Sequence, residues 1–338
     1  AAAPRRTRAA IVALRPRAAA TEAAPIGVAA SFVALLLLRL LLGLGESVSF
    51  PCMSRLLAVG VPTAHLSAAN GVVAFGYLIG PAVGTLVGGL LMAEYGWRPV
   101  FLLFGALSLL WLLPWRHLVV HEPRAVKGTV EAGPPFRRLL GERAVWGTSL
   151  GLFSMNYSYY LILAWLPAYL VSARGFSLAA MATVAAGAYL INALSALGAG
   201  WAIDRWIARG HSPSITHKSI MAAYHLFGIV CMIGIVALPV EGAIACLYFY
   251  QLIIGIGSPG TYAIPQILAG PAAAARWVGV QNMCGNLAGL IAPAVTGFII
   301  GATGEFDRAF LLAAAINVLG LIGWVVMLPK IAPIEWRR

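Results

Sequence analysis

The sequence predicts an all-α polytopic membrane bundle, and three features predict it. Hydrophobic residues make up 61% of the 338 and charged ones only 10%, too few to cover a water-exposed surface. Apolar runs long enough to cross a bilayer recur along most of the chain. The 37 glycines and 20 prolines suit the close helix packing and broken helices of membrane bundles. The expected surroundings are therefore a lipid bilayer. A net charge of +12 raises the question of nucleic acid, but the basic residues are split among short loops without an aromatic-flanked patch. No nucleic-acid partner is expected.

Residues 1–25 stand apart. Arg5, Arg6, Arg8, Arg15 and Arg17 lie in an Ala-rich stretch whose one acid is Glu22. Its composition is that of an organelle transit peptide, with a mis-started gene end as the alternative. Beyond it about nine spans follow, near 31–56, 67–92, 99–120, 144–171, 178–202, 219–238, 243–268, 277–301 and 308–328. Pro, Gly and charge punctuate them. The longest polar connector, 121–143, carries Arg124, Lys127, Arg137, Arg138 and Arg143. Basic residues also gather at 204–218, at Arg276 in the short 270–276 connector, and at Lys330, Arg337 and Arg338. The alternate loops hold Arg98, Arg174 and Arg308 singly, and 239–242 holds none. That asymmetry predicts a cytoplasmic 121–143 loop and a cytoplasmic C-terminal tail, 330–338. With an odd number of spans the basic N-terminus then falls on the wrong side.

An internal repeat accounts for the discrepancy. Leu41–Ser47 matches Ile253–Pro259 so that Gly43 pairs with Gly255 and Gly45 with Gly257, an offset of 212. At the same offset Asn70 pairs with Asn282 and Pro81 with Pro293. Halves repeating in one order with an even number of spans are parallel repeats about the membrane normal. The expected organisation is a 26–120 remainder of an N-terminal half, the 121–143 interdomain loop, and a C-terminal half over 144–329. The 1–25 segment then stands where a third span belongs, and the expectation is that about three N-terminal helices, roughly 70–90 residues, are absent from the chain.

Arg39 and Glu46 are the charges set within the first apolar run. Each costs about 2.5–3.5 kcal/mol in a bilayer, so such residues face a pathway or a partner. Seven apart, they share a helix face, with Gly43 between them leaving room for something other than side chains. Arg39 suits an anion and Glu46 a proton that comes and goes. The other reading of the pair is a structural charge lock between helices.

The motifs resemble those of the major facilitator superfamily. Arg39-Leu-Leu-Leu-Gly-Leu-Gly is similar to its fourth-helix RxxxGxG signature, Gly76 through Gly84 to its fifth-helix GxxxGPxxG, and Gly200-Trp-Ala-Ile-Asp-Arg to its GxxxDR loop motif in the second-half copy. More narrowly, Gly45-Glu-Ser with Phe50-Pro, Asn156-Tyr-Ser-Tyr-Tyr with Trp165-Leu-Pro-Ala-Tyr-Leu, and Asn282 through Pro293 resemble the anion:cation symporters of sugar acids such as hexuronates and galactonate. The resemblance implies a secondary transporter that takes up an organic anion with protons, monomeric, in a bacterial inner membrane. The first-half GxxxDR loop and the family's first-helix Arg are absent from the sequence. Where the family commonly places an Arg after its fourth helix, this chain has Pro62-Thr-Ala-His65.

Further candidates lie in the second half. Asn156, Tyr157 and Tyr160 fall within one turn, and Asn156 and Tyr160 at i, i+4 share a face suited to sugar hydroxyls or a carboxylate. Asn282 and Asn286 repeat that spacing, interleaved with Gly285 and Gly289. Interfacial tyrosines and packing amides are the plainer readings of these pairs. Gln251, Ser258 and Tyr262 carry weaker versions of the same argument. Asp204 and Arg205 end a span and suit a latch on the inward gate. His117, His121, His211, His217 and His225 show no ligand spacing and are placed in loops or at interfaces. Cys52, Cys231, Cys246 and Cys284 are scattered and read as small apolar residues. No metal or cofactor is expected. With no GxxxxGKS, HExxH or GxSxG in the chain, an ATP-driven pump, a protease and a lipase lack a constellation. The remaining alternatives are an efflux antiporter of the same superfamily, an intramembrane enzyme with an unrecognised site, and a non-transporting receptor or non-functional fragment.

Overall fold

The computed structural model describes residues 32–110, 112–114 and 133–336. The basic 1–25 segment and most of the 121–143 connector lie outside the described residues. Two compact units divide the chain, Ala1–Ser49 with Val87–Val130 and Phe50–Leu86 with Glu131–Arg338.

In the first unit α1 (Phe32–Glu46) is apolar except for Arg39 and Glu46 and buries none of its residues. It ends at Glu46, and a turn at Ser47 separates it from α2 (Ser49–Gly60), so the expected continuous 31–56 span is interrupted there. Ser47 Oγ donates to the Leu44 carbonyl at 2.8 Å, a back-bond that competes with helix continuation beside two weak helix formers, Gly43 and Gly45. The end of α3 (Leu66–Tyr95) turns through Gly96, whose φ of 77° favours glycine, into α4 (Trp97–Leu109). A Cβ on Gly88 would lie 3.4 Å from both Val100 and Phe104, so α3 and α4 pack closely there.

The second unit holds α2, most of α3, α5 (Phe136–Gly141), α6 (Arg143–Ala168), α7 (Leu178–Ala208), α8 (Pro213–Ala237), α9 (Val240–Thr303) and α10 (Asp307–Leu321). Pi-helical turns extend α6 over Tyr169–Ala173 and α10 over Ile322–Met327. Small residues set its helix spacing. A Cβ on Gly147 would sit 2.8 Å from the Gly323 carbonyl, and one on Gly323 3.0 Å from the Gly151 nitrogen, which brings α6 and α10 into near backbone contact.

The 64-residue α9 is two spans. Gly270, at φ 64° and ψ 178°, is its one non-helical residue, and Pro271 restarts the helix with a preset φ. The 270–276 connector expected from the sequence is therefore a break of a single residue. Two carbonyls near this break find partners in the C-terminal tail: the Ile334 N–H donates to Leu268 O at 2.9 Å and Trp336 Nε1 to Ala269 O at 2.8 Å. Arg276, inside the second limb, donates to the carbonyls of Gly133 and Pro134 and ties down the end of the long basic connector.

Seven helical stretches among the described residues are long and apolar enough to cross a membrane, α9 counting as one. The 26 residues of α6 are long enough to span, but Ser149, Ser154, Asn156, Ser158 and three tyrosines make this helix more polar. With α9 divided and α6 included, the described residues hold the nine expected spans. The chain is an integral membrane protein.

Candidate functional site

Polar side chains cluster at two places in the second unit. The first is where α3 crosses α7. A Cβ on Gly71 would lie 2.8 Å from Ala196 O and 3.1 Å from Gly200 Cα, and one on Gly200 would strike the Ser67 carbonyl, so both positions must stay small. One turn beyond Gly200, the buried Asp204 accepts the backbone N–H of Ala68 at 2.6 Å and of Ser67 at 3.3 Å. These are first-turn donors of α3 without partners in their own helix, and a carboxylate there meets the positive end of the helix dipole. A turn further along α3, Asn70 and Gln266 pair reciprocally at 2.7 and 3.3 Å, both buried. Arg205 points away from this contact, its guanidinium 5.1 Å from the Trp201 ring centre. The expected Asp204–Arg205 latch thus divides: the acid makes the contact and the base faces outward.

The second cluster lies where α6 meets α9. Tyr160 donates to Asn286 Oδ1 at 2.8 Å, Asn286 Nδ2 to the Asn282 carbonyl at 2.9 Å, and Tyr262 to Asn282 Oδ1 at 3.4 Å. Glycines allow the approach. A Cβ on Gly289 would be 3.0 Å from the Tyr160 ring, and one on Gly285 would press on Leu152 and lie 3.3 Å from Asn156 Nδ2. Four of the candidates, Asn156, Tyr160, Asn282 and Asn286, therefore come together. Tyr157 does not join them: it is 1% exposed, and its hydroxyl has no hydrogen-bond partner among the described residues. The row continues into aromatic side chains, with Tyr262 stacked on Phe50 at 5.0 Å and Phe50 edge-on to Tyr77 at 5.8 Å. Gln251 sits elsewhere, buried against Asn192 at 3.1 Å.

Arg39 and Glu46 belong to the first unit, both exposed on α1. The Arg39 guanidinium lies 5.9 Å from the Phe101 ring centre. A Cβ on Gly43 would meet nothing within 4 Å. Its repeat mate Gly255 is crowded instead, against Ser195 and the Asn192 carbonyl.

The histidines need correction. His217 and His225 are buried inside α8 at 1% and 0% exposure, not in loops or at interfaces. The helix begins at Pro213, six residues before the expected span, and places both on its inner face with Met221 and Tyr224. His225 Nδ1 lies 3.0 Å from Asn317 Oδ1, and Asn317 Nδ2 donates to Ser158 Oγ at 3.0 Å. The four cysteines are free thiols.

Membrane spans that carry a row of hydrogen-bonded polar side chains and a carboxylate-capped helix crossing have the make-up of a membrane transporter. The chain matches the Major Facilitator Superfamily over residues 5–293 and belongs to that family, one of transporters rather than enzymes. It is 28% identical over 334 residues to a probable galactarate/D-glucarate transporter of Escherichia coli K12, covering 90% of this chain and 73% of that protein. With the hexuronate transporter of Bacillus subtilis it shares 25% over 305 residues, 87% of this chain and 72% of the relative. Against the chloroplastic ascorbate transporter of Arabidopsis thaliana it is 27% identical over 324 residues, 90% of this chain and 59% of that protein. The chain spans 54% of the length of another relative, a probable chloroplastic anion transporter of rice. Among solved structures the fold matches the fucose:proton symporter FucP in its outward conformation, with a TM-score of 0.67 at 14% identity over 95% of this chain and 83% of that one. An inward-facing bacterial homologue of the lysosomal transporter Spinster gives 0.66 at 17%, covering 94% and 82%.

Proposed function

We propose that the protein is a secondary active transporter that takes up an organic anion, a sugar acid or a related carboxylate, with protons. The observation that carries this reading is the row Tyr160–Asn286–Asn282–Tyr262 set into otherwise apolar spans. Amides and phenols held at a glycine-lined crossing can exchange their mutual bonds for those of a polyhydroxylated ligand. Relatives named for hexuronate, galactarate/D-glucarate and ascorbate support that substrate class. Asn156, Tyr160, Asn282 and Asn286 bind substrate in this reading, and Tyr157 serves packing. In the first unit, Arg39 offers an anion its planar fork of donors. Glu46 carries the proton, at the point where α1 breaks.

Asp204 is the gate residue. Its bonds to Ser67 and Ala68 hold α3 against α7, and breaking them would let the two helices part. Arg205 serves the same end of α7 from the outer face. The chain is read as the 26–120 portion of one half joined by the 121–143 loop to the 144–329 half. It acts as a monomer in a bacterial inner membrane, the 330–338 tail in the cytoplasm. The basic residues at the tail's end of the second unit, among them Arg209, Lys218, Arg276 and Lys330, support that orientation. Uptake of labelled glucarate into proteoliposomes with an inward proton gradient tests the proposal. Accumulation above equilibrium supports it. Gradient-driven export of lipophilic cations without glucarate uptake would overturn it.

A further inference from the structure

On the outer face of the second unit α7, α8 and the first limb of α9 enclose a groove of about 730 Å³. Its origin is local: between Ser195 and Ile203 the α7 wall is Gly198, Ala199 and Ala202, while the neighbouring helices bring Ile215, Leu252 and Ile256, so the helices do not fill the space between them. The volume is within the roughly 300–1,000 Å³ of small-molecule sites. Along α7 the lining runs from Ser195 to Trp206, eleven residues or about 16 Å of rise, which is the length scale of a lipid acyl chain.

The two ends of the groove differ. The Ser195 end lies near the middle of the Leu178–Ala208 span, beside Gly198 and Ala199. At the other end Trp206 stacks on His211 at 4.1 Å, and the hydroxyls of Ser212 and Thr216 line the wall. Trp201 and Trp206 are both largely exposed, as expected of rings at headgroup level. Basic side chains concentrate at this same end. Arg209, exposed at the C-cap of α7, follows Trp206 by three residues and so stands about 60° from it around the axis. Arg205 is exposed one turn earlier, over Trp201.

We infer that the groove is a binding site for an anionic phospholipid, with one acyl chain along Ala199 and Ala202 and the phosphate at the Arg209–His211 rim. The complementarity is of shape and charge: a largely apolar slot of chain length, with the exposed Arg205 and Arg209 beside its interfacial end. A basic pocket between membrane helices is the general form of an anionic-lipid site. The inference needs the chain to span a membrane and is independent of what it transports.

Native mass spectrometry of the full chain, released from detergent containing equal phosphatidylglycerol and phosphatidylcholine, tests it. Phosphatidylglycerol should be retained in excess, and Arg209→Gln, a surface change, should cut that excess about fivefold, as expected for one basic residue near a lipid surface. Ala199→Trp, which fills the slot, should abolish it, while Leu190→Trp on the exposed face of the same helix should not. Equal retention of both lipids by the unchanged protein would overturn the inference. So would an excess that survives Arg209→Gln, which decides the matter even if Ala199→Trp fails to fold. A dimer mass that disappears in Ala199→Trp would assign the groove to a second copy instead.

Discussion

The carboxylate of Asp204 accepts the backbone N–H of Ala68 at 2.6 Å, so that the end of α7 caps the start of α3. A charged cap contributes about 1–2 kcal/mol, the size of shift that moves a two-state gate several-fold. Asp204→Asn keeps the shape and loses the charge, and the crossing should open more often. In a background without the native cysteines, maleimide labelling of Ser67→Cys should speed up about 2- to 5-fold over the same reporter with Asp204 intact, following the roughly 0.3–1 kcal/mol that a charge contributes at a helix N-terminus. An unchanged rate would remove Asp204 from gating.

Gly71 and Gly43 should respond oppositely to alanine. Gly71→Ala forces a methyl to within 2.8 Å of the Ala196 carbonyl and should lower stability by about 1–3 kcal/mol. Gly43→Ala meets open space and should be neutral or stabilising by up to about 1 kcal/mol from helix propensity. Melting temperatures in detergent check both.

Tyr160 and Tyr157 separate binding from packing. Tyr160→Phe keeps the ring against Gly289 but loses the bond to Asn286, and the KM for substrate should rise about 2- to 10-fold. Tyr157→Phe removes a hydroxyl that has no partner among the described residues, so uptake should hardly change. Equal effects of the two would place the site elsewhere.

Asn317 supports α8, α10 and α6 together. Asn317→Ala should leave His225 Nδ1 and Ser158 without their partner and destabilise by about 1–3 kcal/mol. Thermal unfolding should fall while substrate affinity in the folded fraction stays constant.

Much of this was readable in the residues. The Asn156/Tyr160 and Asn282/Asn286 pairs both stand at helical spacing, the second interleaved with Gly285 and Gly289, and the structure joins them because those two glycines let α6 and α9 approach. Gly270-Pro271 marks a span boundary by backbone chemistry alone. Asp204 stood out through Gly200-x-x-x-Asp, but its partners could not, since a backbone N–H leaves no signature in the side-chain pattern. Asn70–Gln266 was invisible for a related reason: residues 196 apart meet only through the tertiary fold. The burial of His217 and His225 is hard to read from the residues because apolarity begins only at 219, while Pro213 starts the helix behind its Ser212 cap. The break after Glu46 was masked by the unbroken apolarity of its flanks.

The charges of α1 test the transport reading itself. Arg39→Lys keeps the charge but loses the planar fork, and anion binding should weaken by about 1–3 kcal/mol without loss of coupling. If the two residues were only a structural charge pair, neutralising either one, by Arg39→Gln or Glu46→Gln, would strand the other in the bilayer and both of those variants would express poorly. The most direct measurement is labelled-glucarate transport by Glu46→Gln proteoliposomes, with and without an inward proton gradient. The proposed proton role predicts that gradient-driven accumulation collapses while exchange of internal for external substrate persists. Normal gradient-driven accumulation by a well-folded Glu46→Gln protein would contradict it.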